Sequence, residues 1–213
     1  MSKTIDDKLR EGRTYRDMEV RVAEGGDDYI VEGYATTFNQ PYKLGRKNDI
    51  DVFEQVSRSA FDATDMDDVI MQYDHEGRVF ARKSNDTLEL ETDDHGLKVR
   101  ANLGGTEIGR QLYEEIKGGY TNKMSFGFTV GHTTRTNTET ENGEKSVLRT
   151  IDAISKLYDV SAVSLPANNA TEISARTDSE GVIAEVLEEL EREERQRAER
   201  EKLMLSIKLL TEV

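Results

Sequence analysis

The chain has 213 residues, enough for one compact domain with an appendage. With no cysteine it has no disulfide framework, thiol nucleophile or thiolate metal site, and its net charge of -14 disfavours general binding to phosphate backbones. Hydrophobic and charged residues are nearly equal at 35% and 34%, and no apolar run approaches the roughly 20 residues of a membrane-spanning helix.

Residues 1–15 read as a loose polar terminus without the apolar core of a signal peptide, so an intracellular protein is expected. Met18, Val20 and Val22 alternate with charge, which predicts a strand, and Tyr29–Phe38 (YIVEGYATTF) predicts another. Asn39–Asp49, with Pro41 and Gly45, reads as a loop. Val52, Phe53, Val56 and Ala60 recur at helical spacing and predict a short helix over 52–61. An extended segment, Val69–His75, ends at a turn assigned to Glu76-Gly77. Thr87–Glu91 and Leu97–Leu103 flank Asp93-Asp-His-Gly96 as a hairpin, with Gly96 offering a positive-φ position.

Thr106 is placed to cap a helix carrying Ile108, Leu112 and Ile116, which Gly118-Gly119 stops. In Lys123–Phe128 (KMSFGF), Met124, Phe126 and Phe128 share one strand face while Ser125 and Gly127 share the other. The Thr-rich tract 133–144 reads as a mobile excursion with a turn at Asn142-Gly143. Val147–Ile154 and Leu157–Leu165 read as two further strands, closed by Pro166. The expected fold is mainly β (α+β), with about seven strands, two flanking helices and a barrel among the possible closures.

The expected division is a domain over 16–177 and an acidic, amphipathic helical tail over 178–213. That tail holds eleven acidic and six basic residues. Its apolar stripe and the run Leu203–Leu210 predict docking or self-association, against the plainer reading of a solvated helix.

Three histidines narrow the search for chemistry. His75 follows Asp74 at a strand end, His95 sits in a hairpin tip, and His132 leads into the polar tract. Their scatter does not match a compact zinc motif. A serine hydrolase needs a hydroxyl, a base and a group orienting that base. Ser125 and His75 are candidates for the first two, with a silent strand serine and a satisfied turn histidine as the plain alternatives. Asp159, Asp74 and Asp152 compete for the third. By alternation Asp159 shares a face with Leu157, Ser161 and Val163, so it needs a partner if buried. No nucleophile-elbow or phosphate-loop motif is present, and Gly104-Gly105 reads as a simple turn. The Asn168-Asn-Ala-Thr171 glycosylation pattern carries no weight without a secretory signal.

The ordered set GYATTF, MQYDH, GLKVRANL, KGGYTNKMSFGF and LYDVSAVSLPANNATEI resembles the HK97-like prohead (capsid maturation) proteases of tailed bacteriophages. The resemblance spans roughly Tyr29–Arg176 and implies a serine endopeptidase on a closed or partly closed β-barrel, similar to herpesvirus maturational proteases. It places the family's nucleophile on Ser125, its histidine on His75 and its acidic residue on Asp159, where many relatives carry Glu. It implies no cofactor or metal, and cleavage of capsid precursor or scaffold segments, with self-cleavage, inside an assembling prohead in the host cytoplasm. A homodimer is compatible with the related viral fold, while nucleic acid and membrane are not expected partners. The competing reading is a catalytically degenerate assembly or scaffold protein. A small-ester hydrolase on the same fold is a lesser rival.

Overall fold

The computed structural model describes residues 14–23, 29–140, 142–164 and 175–211. The expectations for residues 1–13, for Pro166 and for the glycosylation pattern fall outside them. In chain order the strands are β1 (Thr14–Val22), β2 (Ile30–Thr37), β3 (Tyr42–Lys47), β4 (Ile50–Val56), β5 (Ile70–Tyr73), β6 (Glu76–Arg82), β7 (Leu88–Thr92) and β8 (Gly96–Asn102). Helix α1 (Glu107–Lys117) follows, then the long strands β9 (Lys123–Glu139) and β10 (Lys145–Val163), then helix α2 (Ala175–Thr211).

These strands form one mixed, mostly antiparallel sheet in the order β3-β4-β10-β9-β1-β2-β8-β7, with β5 and β6 attached through β10. The expected barrel is overturned. Among the described residues the order ends on β3 and β7, which do not pair, so the sheet is open. Closure needs hydrogen bonds between the end strands at a consistent shear, which a count of strands does not specify.

β10 is the spine. Along one edge it pairs antiparallel with β9, and along the other it pairs parallel with β4 and then with β5. The two strands expected over 147–165 are therefore one, running through polar Ser155-Lys156 with several register shifts. The tract 133–144 is not an excursion. β9 extends through it to Glu139, paired to β10, and the turn sits at Gly143 with φ +79°.

Residues 52–61 do not form an α-helix, because Val52, Glu54 and Val56 alternate as buried positions of β4 and only Arg58–Phe61 turn as a short 3-10 segment. Tyr42–Lys47, expected as loop, pairs with β4 as β3. α1 stands where predicted. Thr106 Oγ1 accepts from Gly109 N at 3.0 Å as its cap, and Leu112, Tyr113 and Ile116 bury into the core. Gly96 does not use a positive φ. It is glycine because a Cβ there would lie 1.9 Å from the Thr36 carbonyl oxygen.

The main core gathers Val31, Met71, Leu97, Val99, Leu103, Phe126, Phe128, Ile151 and Leu157 among others. A second cluster joins Val52 and Val147 to Val182, Ile183, Val186 and Leu187 of α2. Burying each such side chain contributes roughly 1.5–3 kcal/mol, which holds the start of the tail on the sheet. Arg135 adds ion pairs to Glu189 at 3.0 Å and Glu193 at 2.5 Å. Beyond this, Leu203, Met204, Leu205 and Ile207 are exposed.

Candidate active site

His75 lies in a two-residue turn. Asp74 (φ +49°) and His75 (φ +58°) are both left-handed, and Tyr73 pairs with Glu76 across them. This is the type I′ arrangement that matches strand twist in a hairpin. The turn therefore precedes the Glu76-Gly77 position expected for it. Asp74 explains how it is held: its N–H donates to the Ala162 carbonyl at 2.9 Å, and its carboxylate accepts from Ser164 N at 2.8 Å and Ser164 Oγ at 2.9 Å. The turn is thus tied to the end of β10, the strand that carries Asp159.

At its other end the same hairpin is latched by Arg82, whose Nε donates to Asp68 Oδ1 at 2.7 Å and whose second nitrogen bonds Oδ2. Hydrogen bonds from Arg82 first, and from Ser84, lower the Asp68 carboxyl from its ordinary 3.8 to about 2. Because the folded value is depressed, this stabilisation is complete above pH of about 4 and is lost as pH falls through about 2. Asp68→Asn should therefore melt slightly below wild type at neutral pH, and the gap should close toward pH 2 in thermal melts. The effect is small because both side chains are 44% exposed.

Asp159 reaches the site through a bulge. Leu157 opposes Phe128 but Asp159 opposes Gly127, so Tyr158 is an extra residue on β10. Strict alternation would put Asp159 on the same face as Leu157. The bulge instead leaves Leu157 in the main core and turns Asp159 to the face shared by Ser125 and Ser161. The expected grouping of Leu157 with Asp159 is corrected, and that with Ser161 stands.

There the His75 Nδ1–H donates to Asp159 Oδ1 at 2.5 Å, with both side chains buried (5% and 1% exposed). A carboxylate accepts only, so this bond puts the ring proton on Nδ1 and leaves Nε2 as the basic nitrogen. Ser161 Oγ donates to the same Oδ1 at 2.9 Å. Ser125 stands opposite Ser161 on the neighbouring strand, and directly opposed residues project to one face. Its Oγ is buried without a hydrogen-bond partner, so no hydrogen bond yet joins it to the ring. Of the two adjacent serines, Ser161 has its hydroxyl engaged and Ser125 does not.

The other candidates lie elsewhere. His95 packs edge-on against Tyr34 at 4.5 Å in its hairpin tip, where Asp93 organises the turn by accepting from His95 N and Gly96 N. His132 is exposed and sits 3.5 Å from Asp152, removing both from the site. Gly104 forms a closed turn, its N–H bonded to Asn102 and its carbonyl to Arg110. Among the described residues no cluster of His, Asp and Glu is arranged to hold a metal ion, and no helix is long and apolar enough to cross a membrane. Asp74, a candidate for the carboxylate role, instead ties the His75 turn to the end of β10. Ser161 is the contributor that residue patterns leave without a role, and the polar interruption it makes in the run 157–165 is its only signal.

The family model described as Caudovirus prohead serine protease matches residues 16–185, from β1 into the first turns of α2. No curated protein and no solved structure matches the chain. The match supports a proteolytic role and a setting in viral capsid assembly. It takes in all three residues of the constellation, and the chain belongs to the caudovirus prohead serine protease family.

Proposed function

We propose that the chain is a serine endopeptidase that cuts capsid-precursor or scaffold segments, and itself, inside the assembling prohead in the host cytoplasm. The observation that carries this reading is the buried His75–Asp159 hydrogen bond beside the unpartnered Ser125 hydroxyl on the adjoining strand. His75 Nε2 takes the Ser125 proton as Oγ attacks the scissile carbonyl, and returns it to the departing amine. Water then cleaves the acyl-enzyme with His75 again as base. Asp159 holds the ring by Nδ1 and stabilises the imidazolium, a strong effect for a carboxylate taken out of water. Ser125 is 1% exposed, so a peptide reaches it only after the site opens.

The test is an intact-mass time course of wild type beside Ser125→Ala, dilute and concentrated. Truncation in wild type alone is expected. Faster loss per molecule at high concentration would mark cutting between molecules or activation by pairing. Equal trimming of both proteins would remove Ser125 from the mechanism.

The exposed apolar end of α2 favours a further role for the tail, as a tether to the capsid precursor or scaffold that raises local enzyme concentration. Because Val182–Leu190 contributes to the second core cluster, a truncation that probes the tether alone starts after Leu190. Such a chain should stay folded but enter shells less efficiently than the full chain, measured by its copy number in purified proheads. Equal packaging would end the tether reading.

A further inference from the structure

We infer that Ser161 is a positioning residue of this site: its hydroxyl fixes the Asp159 carboxylate in the orientation that receives His75. The inference rests on the protease reading above and adds a fourth member to it. The rotation that aims a carboxylate about its last bond is broad and roughly two-fold, so a preferred orientation has to come from its partners. Asp159 Oδ1 has two donors, His75 Nδ1 at 2.5 Å and Ser161 Oγ at 2.9 Å, whereas Oδ2 is buried without a hydrogen-bond partner. Without Ser161, His75 would be the sole donor fixing which oxygen faces the ring.

The placement is specific. Ser161 is fully buried, where a hydroxyl is unfavourable unless it is bonded. It lies two residues beyond Asp159 on the same face of β10, so the bond follows from strand geometry. Its register partners are Ser125 on β9 and Gln72 on β5. The Tyr158 bulge brings Asp159 onto this face, and Ser161 sets its rotation there.

A hydroxyl that merely satisfied itself on a nearby acceptor would give the same distance, so the test reads coupling through Asp159. The probe is a fluorophosphonate, and the readout is its second-order rate of reaction with Ser125 in the full chain. Ser161→Ala should slow labelling about tenfold, as expected for losing one hydrogen bond to a charged group. Ser161→Thr, which keeps the hydroxyl, should restore most of the rate. In an Asp159→Asn background, followed over long incubations, Ser161→Ala should cause no further loss. If Ser161→Ala melts too early to assay, Ser161→Cys, near in size but a weak donor, replaces it.

An unchanged rate in Ser161→Ala, or a tenfold loss that persists in the Asp159→Asn background, would overturn the positioning role alone. An adduct mapped to Ser161 in wild type would make that residue the nucleophile and overturn both assignments. No labelling of wild type, or equal labelling of Ser125→Ala, would instead remove the protease site on which the inference stands.

Discussion

Ser125→Ala and His75→Asn should each lower cleavage about a millionfold, and Asp159→Asn about ten-thousandfold, by comparison with serine hydrolases working through the same arrangement. The order follows from what each change removes. Alanine at 125 deletes the attacking atom. Asparagine at 75 retains an N–H donor close to the position of Nδ1, so Asp159 keeps its partner, while the basic Nε2 disappears. Asparagine also suits the φ of +58° at this turn position, where most residues would add strain. His75→Asn therefore separates loss of chemistry from loss of fold, which alanine would confound by leaving a buried carboxylate short of a donor. Asp159→Asn keeps the shape but offers one carbonyl oxygen, for which Ser161 and the imidazole then compete. Where the amide N–H faces Nδ1, the ring proton moves to Nε2 and the base cannot accept from Ser125. Because the groups act as a unit, combining Ser125→Ala with His75→Asn should cost little more than either alone. Cleavage rates and melting temperatures of the four proteins check this. Full additivity, or activity retained in folded His75→Asn, would dissolve the unit.

The elements legible from the chain were those whose signal is local. The Thr106 cap, the hairpin around Asp93–Gly96 and the alternation in Met124–Phe128 depend on neighbours in sequence, and all three form. What failed was set by distant partners. Glu54 breaks the apolar pattern of β4 and made a helix over 52–61 look better than a strand. Its partner Arg149 lies 95 residues away. Ser155-Lys156 looked like a boundary because the parallel contacts that fill this part of β10, including the Asp65–Lys156 bridge, come from remote loops. His75 was visible as a strand-end residue, but Asp74 and His75 take left-handed conformations only because Tyr73 and Glu76 pair across them. Alternation places Asp159 on the correct face as regards Ser161 and on the wrong one as regards Leu157. A single bulge makes the difference, and alternation by itself cannot place one. Ser125 and His75 were separable from their plain readings only through the resemblance of the ordered motifs. The pairing of Asp159 with His75 required the sheet.

Arg149→Met should destabilise the fold by about 3–5 kcal/mol, and adding Glu54→Gln should recover most of that loss. Glu54 is fully buried and ion-paired with Arg149, its register partner on the neighbouring strand, while Tyr42 OH donates to its other oxygen. Val52–Val147 lies on one side of this pair and Val56–Ile151 on the other, so the charges form a seam between the second cluster and the main core. Methionine fills the space of the guanidinium stem but takes the guanidinium charge away from the buried carboxylate. Glutamine removes that charge and still accepts from Tyr42. One gain works against the loss. Arg149 stands opposite Arg135, which holds Glu189 and Glu193 of α2, and removing one of two facing cations relieves their repulsion. That gain is minor, because each arginine is already held by its own carboxylates. For a chain of this size the expected fall in melting temperature is about 6–20 °C. Below the melt, labelling of Ser125 should be unaffected, since the seam touches neither His75 nor Asp159. An unshifted Arg149→Met would mean that Glu54 does not depend on its partner. Failure of Glu54→Gln to rescue would place the cost in the packing of the arginine stem rather than in the lost ion pair.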